Sequence, residues 1–355
     1  MLNRHKLIED VFAPTADDVV LFMVDEPHDR VPDHRDWQER REMAQEWHES
    51  FNAFPVRLLP TYHYAATGAN NGDLPQTGQL GEQEQRLDAL LDEVTIIIAM
   101  TQYSATAPLS RLIRPYAPLR VASMPGVLRR MEETALAADY REVARRTHMF
   151  AQDLTDAEAA EVIFSTGERL FMDLRYRTGH ADDGQCHRDK AFPLINLPSG
   201  EAFIVPYEGE REGEPSRTEG VIPLLEDDEL YHLIVKQNRI VEVRGDGPGA
   251  KAFAKYLEDD PARANIAELG LGCNDRAVVQ GAVIEDEKAG FHWAYGRSEH
   301  LGGTVGPDAF KKPENVVHQD IVYAPASPIG IQRLTLHLPG DEEVNVILDN
   351  EYFFE

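Results

Sequence analysis

The chain has 355 residues, more than one hydrophobic core usually serves, so two domains are expected. Acidic residues outnumber basic ones 62 to 35, a net charge of -27, which argues against a nucleic-acid backbone or an anionic membrane as partner, since both need a basic face. The hydrophobic fraction of 42% suits a globular protein, and its two cysteines, Cys186 and Cys273, form no C-x-x-C pair and imply no disulfide framework.

The N-terminal MLNRHKLIEDVFAP lacks the apolar core of a signal peptide. No stretch approaches the ~18 apolar residues of a membrane span. A soluble, cytoplasmic protein is expected. In chain order, Val19 to Val24 is a continuous apolar run, as a buried parallel strand should be. Asp36 to Phe51 is polar and helical, with Trp37, Met43 and Trp47 on about one face. Pro55 to Leu59 predicts a second strand and Gln83 to Leu91 a second helix. Val94 to Met100 is rich in β-branched residues and predicts a strand. Arg120 to Ser123 predicts another, ending at Pro125-Gly126, and Met131 to Glu161 is helical and charged. Alternation of strand and helix implies a parallel sheet wrapped by helices over residues 1–150. No G-x-G-x-x-G follows the first strand, so a dinucleotide site is not supported.

Residues 151–355 change texture, and a β-rich, mostly antiparallel domain is expected there. Its strand-like segments include Glu161 to Phe164, Arg169 to Leu174, Ala202 to Pro206, Leu233 to Val235, Ile240 to Val243, Leu334 to Leu338 and Val344 to Leu348. Lys251 to Leu257 predicts a short helix. Arg177 to Lys190 reads as a polar loop whose His180, Asp182, Cys186 and His187 are able to bind metal, with a plain surface loop the favoured expectation.

The chemistry gathers between Asn265 and Asp320, where Glu268, Glu287, His292, Glu299, His300, His318 and Asp320 lie among apolar residues. Carboxylates supply hard oxygen donors, and imidazoles supply neutral nitrogen donors that suit zinc, cobalt, manganese or iron. His318 and Asp320 stand two apart, so on a strand they share a face. Glu201 opens an apolar strand after a turn, and Glu268 sits inside NIAELGLG. An unpaired buried carboxylate is costly, and one or two shared cations would relieve Glu201, Glu268 and Asp320 together. Glu287 and Lys288 are expected to form a salt-bridged turn.

The motifs NLPSGEAFIVP, NIAELGLG, EDEKAGFHWAYG and VVHQD resemble, in order and style, the aminopeptidase T/aminopeptidase S family of leucyl aminopeptidases, as does ASMPGVLRRM. The resemblance runs from about residue 94 and is strongest over 190–323. It implies a homodimeric exopeptidase acting on a short peptide or related small molecule through two divalent ions (Zn, Co or Mn). The implied ligands are Glu201, Glu268, His292, His318 and Asp320. Glu299 stands where longer family members carry a tyrosine, so Glu299 or the adjacent His300 is the expected proton-transfer group. A divergent branch, the 2,5-dihydroxypyridine dioxygenases, uses a single Fe(II) and has lost the glutamate at the position of Glu201. The alternative expectation is a ring-opening dioxygenase using His292, His318 and Asp320, and a non-catalytic relative is a third.

Overall fold

The computed structural model describes residues 2–113, 115–116, 118–191 and 193–353. The chain forms a mixed α/β domain at its N-terminal side, followed by a β-rich domain that bears the acidic and histidine cluster. By internal contacts it divides into two units. One comprises Met1–Arg145, Asp182–Gly200 and Asn274–Lys288, and the other Arg146–Ala181, Glu201–Cys273 and Ala289–Glu355. The units therefore interleave in sequence.

In the first unit, the strand Val19–Glu26 pairs in parallel with Arg57–Leu58 and Tyr62–Ala65 on one side and Ile96–Ala99 on the other. Arg120–Ser123 and then Leu194–Asn196 extend the parallel set. The apolar run at 19–24 serves two cores because alternate side chains leave opposite faces. Val20, Phe22 and Val24 pack with Met43 and Trp47 of the helix Arg35–Ser50. Leu21 and Met23 pack with Leu109 and Ile113 of the helix Thr106–Ile113.

Two expectations are corrected here. Gln83 to Leu91 is not one helix: Gln83–Arg86 pairs antiparallel with Thr77–Leu80, and only Asp88–Leu91 is helical. Gly81 supplies the positive φ of the hairpin turn, and the polar Gln83–Arg86 carries no apolar stripe to seat a helix. The long helical segment is also shorter than expected, running Tyr140–Asp156, with the strand Ala159–Phe164 already begun by Glu161.

The second unit is a sandwich of an eight-stranded and a five-stranded sheet. The strands of the smaller sheet are numbered here β1 (His180–Asp182), β2 (Glu201–Ile204), β3 (Ile266–Gly272), β4 (Phe291–Gly296) and β5 (His318–Tyr323). From β2 to β5 every pairing is antiparallel. One face contributes Ala202, Ile204, Leu269, Leu271, Phe291 and Trp293 to a core shared with Phe164, Leu170, Ile222 and Leu334 of the larger sheet. Among the described residues, no helix is long and apolar enough to cross a membrane.

The first unit's most demanding polar element is the ion pair of Asp18 and Arg120, 2.7 Å apart with both side chains buried. Asp18 also accepts from Thr95 Oγ1, Thr15 N and Arg188. Asp18→Ala leaves the buried Arg120 guanidinium without its counter-charge, so it should lower unfolding free energy by about 3–5 kcal/mol. Urea denaturation of both proteins measures the difference.

Candidate metal centre

The register of the five-stranded sheet brings the scattered residues together. Glu201 lies opposite Gly272, Gly270 opposite His292, and Glu268 opposite Ala294. Asp320 also lies opposite Ala294, and His318 opposite Gly296. Cross-strand partners and residues two apart share a face. Glu201, Glu268, His292, His318 and Asp320 therefore all leave the face turned away from the apolar core. Small residues floor this patch. A Cβ at Gly270 would lie 1.9 Å from His292 Nε2, so the imidazole occupies the space a side chain would need.

Two donor sets result, each with its atoms within 4.8 Å of one another: Glu201, Glu268 and His292, and Glu268, His318 and Asp320. Glu268 belongs to both. Its Oε1 is 3.7 Å from His292 Nε2, and its Oε2 is 2.9 Å from His318 Nε2. Glu201 Oε2 lies 3.3 Å from His292 Nε2, and Asp320 Oδ1 lies 3.4 Å from His318 Nε2. His318 Nδ1 donates to the Arg297 carbonyl at 2.7 Å, and His292 Nδ1 faces the Gly290 carbonyl at 3.4 Å. A carbonyl can only accept, so each Nδ1 carries the proton and each Nε2 is turned to the carboxylates.

The electrostatics match a cation site. Burial alone would push His292 down, but the adjacent carboxylates of Glu201 and Glu268 outweigh it and raise its pKa well above the ordinary value. Burial likewise opposes the charge of His318, and Asp320 and Glu268 raise it in the same way. Burial favours neutral Glu268, yet the two imidazoles hold its carboxyl below the usual range. Without an ion, the patch gathers protons onto its histidines. The same field and the same O and N donors fit a divalent ion.

The other expected residues fall in different places. Glu299 and His300 lie on a 3-10 turn, Glu299–Leu301. The half-exposed carboxylate of Glu299 pairs with Arg297 at 2.7 Å and is held below its ordinary pKa by that contact. His300 does reach the cluster. Its ring meets His318 edge-on with centroids 5.0 Å apart, and desolvation followed by the charge of His318 lowers its pKa. Glu287 and the fully buried Lys288 form the expected salt bridge, at 2.6 Å. The loop 177–190 is not uniformly a surface segment. Cys186 is buried, its thiol pushed up to about 12 by that burial, and His187 Nε2 bonds the Asp10 carbonyl.

Two further groups lie beside the cluster: His180, set aside by sequence reasoning as a surface-loop residue, and Phe203, which it passed over. His180 on β1 stacks on Phe203 of β2 with centroids 5.4 Å apart, and it lies within the field of Glu268. Phe203 is two residues from Glu201 and so shares its face. That spacing was the available signal; the pairing that brings β1 alongside was not visible.

Two outcomes follow from this geometry. Gly270→Ala should displace His292 and weaken divalent-metal binding by about 10–100-fold, as loss of ligand orientation does elsewhere, measured by titration of the metal-free protein. The raised histidine pKa values mean that an ion must displace protons near neutral pH. Metal affinity should therefore rise with pH through the neutral range and fall as acid restores those protons. Calorimetry in buffers of different ionisation enthalpy would detect the released protons.

No protein-family model and no curated protein matches this chain. Solved structures do. A 2,5-dihydroxypyridine dioxygenase from Pseudomonas putida KT2440 matches at 15% identity over 99% of this chain and 97% of its own, with a TM-score of 0.62. Wild-type AmpT from Thermus thermophilus matches at 14% identity over 98% of each chain, with a TM-score of 0.58. The chain thus has a fold like that of both AmpT and a dioxygenase, and it carries on that fold a cluster suited to a divalent metal.

Proposed function

We propose that this chain is a divalent-metal-dependent enzyme acting on a small molecule or short peptide over the Glu268 cluster. The observation that carries the reading is the division of Glu268 between two imidazoles, which makes one carboxylate common to two donor sets. Glu201 and His292 would hold an ion with one of its oxygens, and His318 and Asp320 with the other. A bound divalent ion supplies Lewis acidity at a substrate or water oxygen. The chain's own groups do the rest. The Arg297 carbonyl keeps His318 in the tautomer that presents Nε2. His300, beside His318, offers a neutral ring nitrogen that can take up and return a proton, whereas Glu299 would first have to leave Arg297.

Two reactions divide this reading. Fold likeness supports oxidative ring opening on a single Fe(II) more than it supports hydrolysis, since the dioxygenase has the higher TM-score, 0.62 against 0.58. In that reaction His292, His318 and Asp320 would supply the protein ligands. The donor set supports hydrolysis of an N-terminal or related amide by two ions (Zn, Co or Mn), because three carboxylates with one shared are what a paired site uses. Homodimeric assembly is part of the same proposal.

Metal stoichiometry and turnover decide between them. Metal-free protein would be loaded with Fe(II) without oxygen, or with Zn, Co or Mn. It would then be assayed for oxygen uptake with a dihydroxypyridine and for amine release from a leucyl anilide. Two ions per chain, amine release, and loss of at least one ion in Glu268→Gln support hydrolysis. One iron, oxygen uptake, and retention of that iron in Glu268→Gln support ring opening. Failure of the wild type to bind any of these ions sinks both.

A further inference from the structure

Glu208 lies outside the donor sets, yet more hydrogen bonds converge on its carboxylate than a surface glutamate needs. Its side chain is almost fully buried, with 4% exposed. Oε1 accepts from Ser298 Oγ and from Asn265 Nδ2 at 2.8 Å. Oε2 accepts from Thr304 N and from Thr304 Oγ1 at 2.7 Å, with Arg177 at 3.4 Å. One carboxylate thereby ties both ends of the segment 298–304, which is the segment that carries His300. The loop closes on itself as well: Gly303 N donates to the Ser298 carbonyl and Val305 N to Ser298 Oγ. A Cβ at Gly303 would lie 2.3 Å from Ser298 Oγ, so the turn cannot be drawn this tight with a larger residue.

The segment begins next to Arg297, whose carbonyl accepts from His318 Nδ1. Asn265, held by Glu208, also donates through Nδ2 to the Gly296 carbonyl and accepts from Gly296 N through its own carbonyl. Glu208 thus fixes the backbone on both sides of the bond that orients His318. It fixes His300 against His318 by the same means.

We propose that Glu208 is the positioning residue of the cluster, clamping residues 296–304 so that the Arg297 carbonyl and the His300 ring together set the orientation of His318. This rests on the reading that the cluster holds a divalent ion. An ionised carboxylate suits the role because it can accept at both oxygens at once. An amide of the same size can accept at only one, and its NH2 would face the donors of Ser298 or Thr304.

The test uses cobalt(II) as probe on the full chain, for wild type, Glu208→Gln and Thr304→Val. The last removes only the Oγ1 hydrogen bond. Readouts are the visible ligand-field spectrum and the rate at which a chelator strips the ion. Glu208→Gln should shift the spectrum and speed stripping by about tenfold or more, with Thr304→Val changing both in the same direction by less. Variants that melt lower but keep the wild-type spectrum and stripping rate overturn the assignment, because a merely structural role would behave so. If Glu208→Gln does not fold, an unchanged spectrum and rate in Thr304→Val overturns it and a shift in both supports it. A wild type that takes up no cobalt defeats the cluster reading itself, and this assignment with it.

Discussion

Three carboxylates on one face of one small sheet are the constraint around which the second unit is built. Glu201, Glu268 and Asp320 stand close together while the opposite face of the same strands is sealed in an apolar core. Like charges so placed resist joint ionisation, and removal from water sharpens the conflict. Positive charge must enter the patch, as protons on His292 and His318 or as a metal ion in their place. The sandwich makes the demand rigid. The strands cannot turn a carboxylate off this face without a one-residue slip that would send Leu269, Phe291 and Trp293 onto it and the carboxylates into the apolar core.

The same alternation that seals the core supplies the room above it. β3 and β4 read as near-continuous apolar strands, but on the cluster face their positions between ligands are glycine or alanine. Those residues weaken a strand by propensity. They are tolerated because β3 is paired on both sides and its other face is fully packed.

Much of the site was legible because its signals are local. His318-Gln-Asp320 has the period of a strand, and Glu201 and Glu268 stand out as charges inside apolar runs. The apolar run at Val19 and the strand Arg120–Ser123 were legible for the same reason, and the latter formed with the bounds expected. What could not be read was pairing. Nothing near His180 announces that β1 lies beside β2, and nothing near Glu208 announces that Ser298 and Thr304 will both turn to it. Gln83–Arg86 was misread because its polar residues fit an exposed helix as well as an exposed hairpin, and only the partner strand Thr77–Leu80 decides between them. The interleaving of the two units is equally nonlocal, since 182–200 and 274–288 carry no mark of which unit they join.

Gly270 has a consequence beyond the space it vacates. The atom that would collide with a side chain there is the one nitrogen that faces both Glu201 and Glu268. Backbone composition at one position and ligand chemistry at another are therefore a single character of this protein. A strand rebuilt with a better β-former at 270 would gain local propensity and lose the imidazole from its seat. Anyone grafting this cluster onto another antiparallel sheet would have to transplant the absence of a side chain along with the five that are present.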